Sequence, residues 1–368
     1  MFEQWWQLPG PSRFVRRITT EMRDGRNIIL CLPEVGAEGL YLAVRGELGE
    51  DTGTQWTLIN AADEDCENPA EYFYQRFVPS AASSTIRNGR ALALEDDLAC
   101  CWFWITDVTP KVWCVWMKFL YEFEEACRAR DEYERPLICI ELRGEDAAIL
   151  TTDEVCLAIV KYRGDVQETD ALLYASELTY DRNDASIRNR LRANLIARLA
   201  LWDPALAVHL SRCEIGHLLR PADYLREYAE ELGWTHERTK VPEWRSGMLN
   251  DFGGEQLVHS AALIHREQNR ELECRIWSAQ VAVLFPYVEL ERRKLLDEYG
   301  RRFTLPFVTP FGQVDKLYDL EIGHIHSQIM RDRSRFSQAT RSHVRKLKDI
   351  RNAISHLEVL DPHLLGGI

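Results

Sequence analysis

Five short apolar runs in the first half of the chain constrain its fold more than any other feature: NIILCLP (27–33), TQWTLINA (54–61), CCWFWITD (100–107), RPLICIEL (135–142) and VCLAIVKY (155–162). Each is continuous in polarity rather than alternating. That is the pattern of a strand covered on both faces, and such strands belong to parallel sheets. Parallel neighbours need crossover connections, and amphipathic stretches such as VWCVWMKFLYEFEEACRAR (112–130) lie between the runs to supply them. The first region therefore reads as an α/β domain built on a parallel sheet.

Beyond about residue 168 the strand signal stops. SIRNRLRANLIARLALWD (186–203) and PADYLREYAEEL (221–232) read as helices, the second with Pro in its first turn. KVPEWRSGMLNDFGGEQ (240–256), rich in Pro, Gly and Asn, reads as a linker. Three long helical patterns follow, at 268–300, 315–333 and 337–360. The expected organisation is an α/β domain over 1–167, a helical lid-like segment and linker over 168–250, and an all-α helical bundle over 251–368.

Composition limits the class of function. Hydrophobic residues at 46% and charged residues at 28% suit a folded globular protein. No run of eighteen apolar residues exists, and MFEQWWQLPGPSR lacks the basic start and apolar stretch of a signal peptide, so a cytoplasmic protein without membrane contact is expected. The ten cysteines include no CxxC pair, and several sit inside the apolar runs. There a thiol packs as a small hydrophobe, so neither disulfides, a metal site nor a cofactor is expected. The net charge of −13 excludes nonspecific coating of nucleic acid. Yet residues 331–351 carry Arg331, Arg333, Arg335, Arg341, Arg345, Lys346, Lys348 and Arg351 against only Asp332 and Asp349.

That basic segment runs into KDIRNAISHLEVL (348–360), where Arg351, Asn352 and His356 fall within six positions. Histidine exchanges protons near neutral pH, and arginine offers phosphate a planar fork of donors that never loses its charge. Those are the requirements of metal-free RNA cleavage, in which a proton leaves the ribose 2′-hydroxyl while charge builds on phosphorus. A five-residue spacing turns a helix by about 140°, so Arg351 and His356 do not share one face, whereas Asn352 and His356 do.

The Arg-x4-His pattern with a polar residue after the Arg, on the last long helix of a helical module, resembles the HEPN family over about residues 257–368. The resemblance implies a ribonuclease in which Arg351 clamps phosphate, His356 acts as acid or base, and Asn352 orients one of them. It also implies a homodimer whose motifs meet across a two-fold axis. Glu321 is a candidate support for the active-site histidine from a neighbouring helix, and Arg341, Arg345, Lys346 and Lys348 are candidate contacts to RNA, tRNA among the targets. Pairings of this kind resemble bacterial toxins and antiphage effectors, with a regulatory protein as a further partner. The competing expectation is a non-catalytic dimerising adaptor.

The turn after the first run, LPEVGAEGLYLAVR, occupies the place of a phosphate-binding loop. Gly-Lys-Ser/Thr is absent from it, and the first lysine of the chain is Lys111. The third run ends in Asp107, where P-loop ATPases hold magnesium, but Val108 follows instead of a glutamate. Residues 20–235 thus resemble a degenerate AAA/STAND-type ATPase domain, which implies no ATP hydrolysis and a capping role for Asp107. Glu321 with His324 reads as a buried, hydrogen-bonded polar pair, and His259 with His265 as ordinary residues. Trp5, Trp6 and RFVRR are open as a docking surface.

Overall fold

The computed structural model describes residues 2–49, 54–62, 66–78, 86–108, 111–131, 134–144, 156–180, 186–265, 269–310 and 312–366. The chain packs as two units, Met1–Asp170 with Trp202–Pro204 and Val241–His259, and Ala171–Leu201 with Ala205–Lys240 and Ser260–Ile368. Among the described residues, no helix is long and apolar enough to cross a membrane.

The first unit is an α/β sheet domain. Helix α1 (Pro9–Arg23) leads to β1 (Asn27–Leu32), α2 (Leu40–Leu48), β2 (Gln55–Asn60), α3 (Pro69–Phe77), β3 (Cys101–Thr106), α4 (Trp113–Cys127), β4 (Leu137–Arg143) and β5 (Leu157–Lys161). The five strands lie in the order β2-β3-β4-β1-β5. Every pairing is parallel, with Ile29 opposite Ile140 on one side and Ile159 on the other. All six residues of β1 are buried, as its apolar run requires in mid-sheet. The TQWTLINA run behaves differently. It forms the edge strand β2, where Ile59 alone is buried, so its unbroken polarity did not report cover on both faces.

One face of the sheet presents Ile29, Phe103, Ile105 and Ile140 to Phe73, Trp116, Phe119 and Phe123 of α3 and α4. Burying each such aromatic contributes about 1.5–3 kcal/mol. The stretch expected as a linker, 240–256, instead runs into a hairpin of β6 (Leu249–Phe252) and β7 (Glu255–Val258). Its two loop glycines, Gly253 and Gly254, take φ of 61° and 86°. A two-residue loop with both centres left-handed is the turn that matches strand twist. Trp244, just before it, is buried and donates its indole N–H to the Tyr162 carbonyl at 3.1 Å.

The second unit is mainly helical. It contains α5 (Ile187–Ala200), α6 (Asn269–Tyr299), α7 (Ile322–Arg331) and α8 (Gln338–Ser355). Helix α6 buries Leu272, Ile276, Ala279 and Val283, a stripe at helical spacing, and continues through Pro286. Helices α5 and α8 pack on α6, and α7 packs on α8. Residues 171–201 and 205–240, expected in a separate lid and linker, pack within this unit. The unit is not purely helical as expected, since β8 (Phe307–Thr309) and β9 (Gly312–Val314) pair antiparallel. Val155 and Gln268, the first residues of one expected strand and one expected helix, lie outside the described residues.

Candidate functional site

Helix α8 starts where the Ser337 hydroxyl accepts the Thr340 N–H at 3.0 Å. It buries Val344, Leu347, Ile350 and Ile354. At 100° per residue, Arg345, Asn352 and His356 lie within about 40° of one another and roughly opposite that stripe. Asn352 is half-buried and His356 is exposed.

The helix ends through backbone geometry rather than at a glycine. His356 is its C-cap. Leu357 then takes φ of 59°, and the N–H groups of Leu357 and Glu358 donate back to the carbonyls of Ile354 and Ala353 at 3.3 and 2.9 Å. This is a Schellman closure with Leu at the left-handed position. Two residues of α6, one turn apart, secure it. The Trp277 indole N–H donates to the Ile354 carbonyl at 2.8 Å, and the Leu360 N–H donates to the Gln280 Oε1 at 2.6 Å. The histidine therefore sits on a turn clamped on both sides, with its ring outside.

Arg351 points another way. Its Nη2 lies 3.2 Å from the Glu321 carboxylate at the start of α7, with side chains 38% and 63% exposed. Glu321 thus holds the arginine, whereas the sequence suggested support for a histidine. His324 closes the first turn of α7, its Nδ1 accepting the Glu321 N–H at 3.2 Å.

The four expected RNA contacts separate into two kinds. Arg341 donates to the carbonyls of Arg333 and Phe336 at 2.7 and 3.0 Å and to the Gln338 side chain, so it stitches the turn before α8. Lys346 donates to the Gly366 carbonyl, and burial lowers its pKa. Arg345 and Lys348 remain on the solvent side, Arg345 being 74% exposed and 4.0 Å from Asp349. Arg331 covers the Phe307 ring, and Arg335 donates to the Arg302 carbonyl. About half of the basic segment is thereby spent on local structure.

At the sheet, the turn between β1 and α2 contains Gly36 and Gly39 at φ of 97° and 78°. Here the chain places its own anion: the Gly36 N–H donates to Glu38 Oε1 at 3.1 Å. Glu38 Oε2 is buried without a hydrogen bond. Burial first, then the charge of Asp203, pushes this carboxyl above its ordinary value, against its backbone bonds and Arg143. Asp203 is buried with His259, their Oδ2 and Nε2 3.2 Å apart. No local pattern marks that pair, because its members come from distant stretches. Asp107 is exposed at the end of β3 with φ of 57°, and the turn it was expected to cap runs into residues 109–110, which lie outside the described residues.

Among the described residues, no group of three His, Cys, Asp or Glu side chains is arranged to hold a metal ion. Compared with known proteins, the sequence matches no family model and resembles no curated protein closely enough to count as a relative.

Proposed function

We propose that this chain is a metal-independent endoribonuclease of the HEPN type, acting as a homodimer. Arg351 binds the scissile phosphate, His356 moves a proton, and Asn352 orients the phosphate or the imidazole. The ribose 2′-oxygen attacks phosphorus, the bond to the 5′-oxygen breaks, and a 2′,3′-cyclic phosphate and a 5′-hydroxyl remain. The sheet domain is a degenerate P-loop-like module that regulates the cut, directly or with a protein partner. Stopping growth by cutting tRNA or other RNA, as a toxin or antiphage effector does, is the role that fits such a pairing.

The observation that carries this reading is the exposed face of α8, where Asn352 and His356 stand together outside the buried stripe. Arg351 lies on another face of the helix, held by a carboxylate that a phosphate can replace. Because Arg351 and His356 lie on different faces, a site composed from two copies joins them more readily than one copy does. A second reading, a dimerising adaptor without catalysis, is favoured by Glu38 filling the turn of the sheet domain, since one expected site in the chain is already closed.

The test is incubation of the full chain with total RNA and a tRNA pool in EDTA. Wild type should cut, while Arg351→Ala and His356→Ala should not. Wild type that leaves every RNA intact, with the adaptor's dimer still present in sedimentation, would establish the second reading instead.

A further inference from the structure

The cations that remain available on α8 are not scattered. Lys348 is one turn beyond Arg345, and the charges of both act on His326 of α7, the helix that packs against α8. His326 is half-buried and lies five residues beyond Glu321, whose carboxylate meets Arg351 of α8 at 3.2 Å. An exposed arginine and a half-buried lysine beside a half-buried imidazole form a place with excess positive charge, which Asp349 opposes.

We propose that His326, Arg345 and Lys348 form a second subsite, which holds a backbone phosphate of single-stranded RNA away from the cut. From Lys348 to His356 the helix rises about 12 Å at 1.5 Å per residue. At roughly 3.4 Å per stacked nucleotide, that is three to four nucleotides. The inference rests on the nuclease reading for its ligand and adds the path of the strand along α8. It also assigns to His326 a phosphate-binding role that is separate from proton transfer at the cut.

The subsite has a pH signature. Burial first, then Lys348 and Arg345, hold the His326 imidazole below its ordinary value, with Asp349 opposing. In the free protein it is therefore neutral near pH 7. A phosphate between these groups favours its protonated form, so binding takes up a proton and strengthens as pH falls.

The experiment is fluorescence anisotropy of the full chain with a labelled single-stranded oligonucleotide carrying 2′-O-methyl groups, which cannot be cut. Arg345→Gln and Lys348→Gln should each weaken binding and lower the log–log salt slope by about 0.7. Wild type should bind several-fold more tightly at about pH 5.5 than at about pH 7.5, a window centred near the ordinary imidazole value. His326→Gln should flatten that dependence. An unchanged salt slope in both cation variants, an undiminished pH dependence in His326→Gln, or no binding by wild type would each overturn the subsite. Because the probe is uncleavable, these results stand apart from cleavage. Binding with these dependences but no cutting of natural RNA removes the nuclease and keeps the subsite; cutting with unaffected variants does the reverse.

Discussion

The turn after β1 and the end of α8 both resemble anion sites, and in both the chain supplies a carboxylate of its own. Glu38 accepts a backbone N–H in a buried turn, and Glu321 reaches Arg351 at the surface. The difference lies in what displacement would cost. Glu38 is largely removed from water, no lysine precedes Lys111 to receive a phosphate in its stead, and its neighbour Asp203 is also acidic. Glu321 and Arg351 are exposed, and a pair of that kind contributes only about 0–1 kcal/mol. A buried internal carboxylate closes a site, while an exposed one can yield it to a ligand.

The largest effect expected from this contrast is on stability. Trp104 is fully buried in β3 and donates its indole N–H to the buried Glu141 at 2.8 Å. Trp104→Ala should cost about 3–5 kcal/mol in urea unfolding, because it opens a cavity and removes a partner of Glu141. His356→Ala at the exposed turn should change stability by less than about 0.5 kcal/mol. Similar losses in the two variants would erase the contrast between a closed, buried region and an open one.

Glu38→Gln sharpens it. The carboxyl's raised pKa in the folded state means its contribution is fully present below the unfolded value of about 4.5 and is lost as pH rises through the folded value. At neutral pH the substitution should therefore stabilise the fold, and the gain should vanish below about pH 4.5. Thermal unfolding across that range checks the sign. Calorimetry on the same variant should find no ATP binding, since removing the plug does not supply the missing lysine.

How much of this was visible in the sequence depends on the range of the interactions involved. The sheet was legible because parallel strands need continuous apolar runs, and all five runs became strands. The β6–β7 hairpin was read as a linker because Gly253 and Gly254 serve equally as linker residues and as a left-handed turn. Strands β8 and β9, each three residues long, were too short to carry a period. At the site, Arg351, Asn352 and His356 stood out because they lie in one short stretch. The Glu321–Arg351 pair, the capture of Arg341 and Lys346 by backbone carbonyls, and the meeting of Asp203 with His259 all join separate segments. Charge counting could not distinguish a structural arginine from an available one.

A smaller effect concerns the turn that carries His356. Leu357 is 67% exposed at φ of 59°, where a side chain costs about 1–2 kcal/mol and glycine costs little. Leu357→Gly should stabilise by about 1 kcal/mol in thermal unfolding. A loss of stability would mean that the leucine packs in a way its exposure contradicts. The smallest effect belongs to Glu321→Gln. Its folding stability should stay within about 1 kcal/mol of wild type, while the freed Arg351 binds the uncleavable oligonucleotide up to about fivefold more tightly. Weaker binding would make Glu321 a positioning residue for Arg351 rather than a carboxylate that a phosphate displaces.

The central claim is proton transfer by an exposed histidine without metal, and the single-turnover cleavage rate of a tRNA pool in EDTA tests it most directly. Wild type should cut to 2′,3′-cyclic phosphate ends, and His356→Ala should be slower by roughly 10²–10⁴-fold with its fold intact. Equal rates for the two proteins, or cleavage that stops when EDTA is added to wild type, would contradict the account.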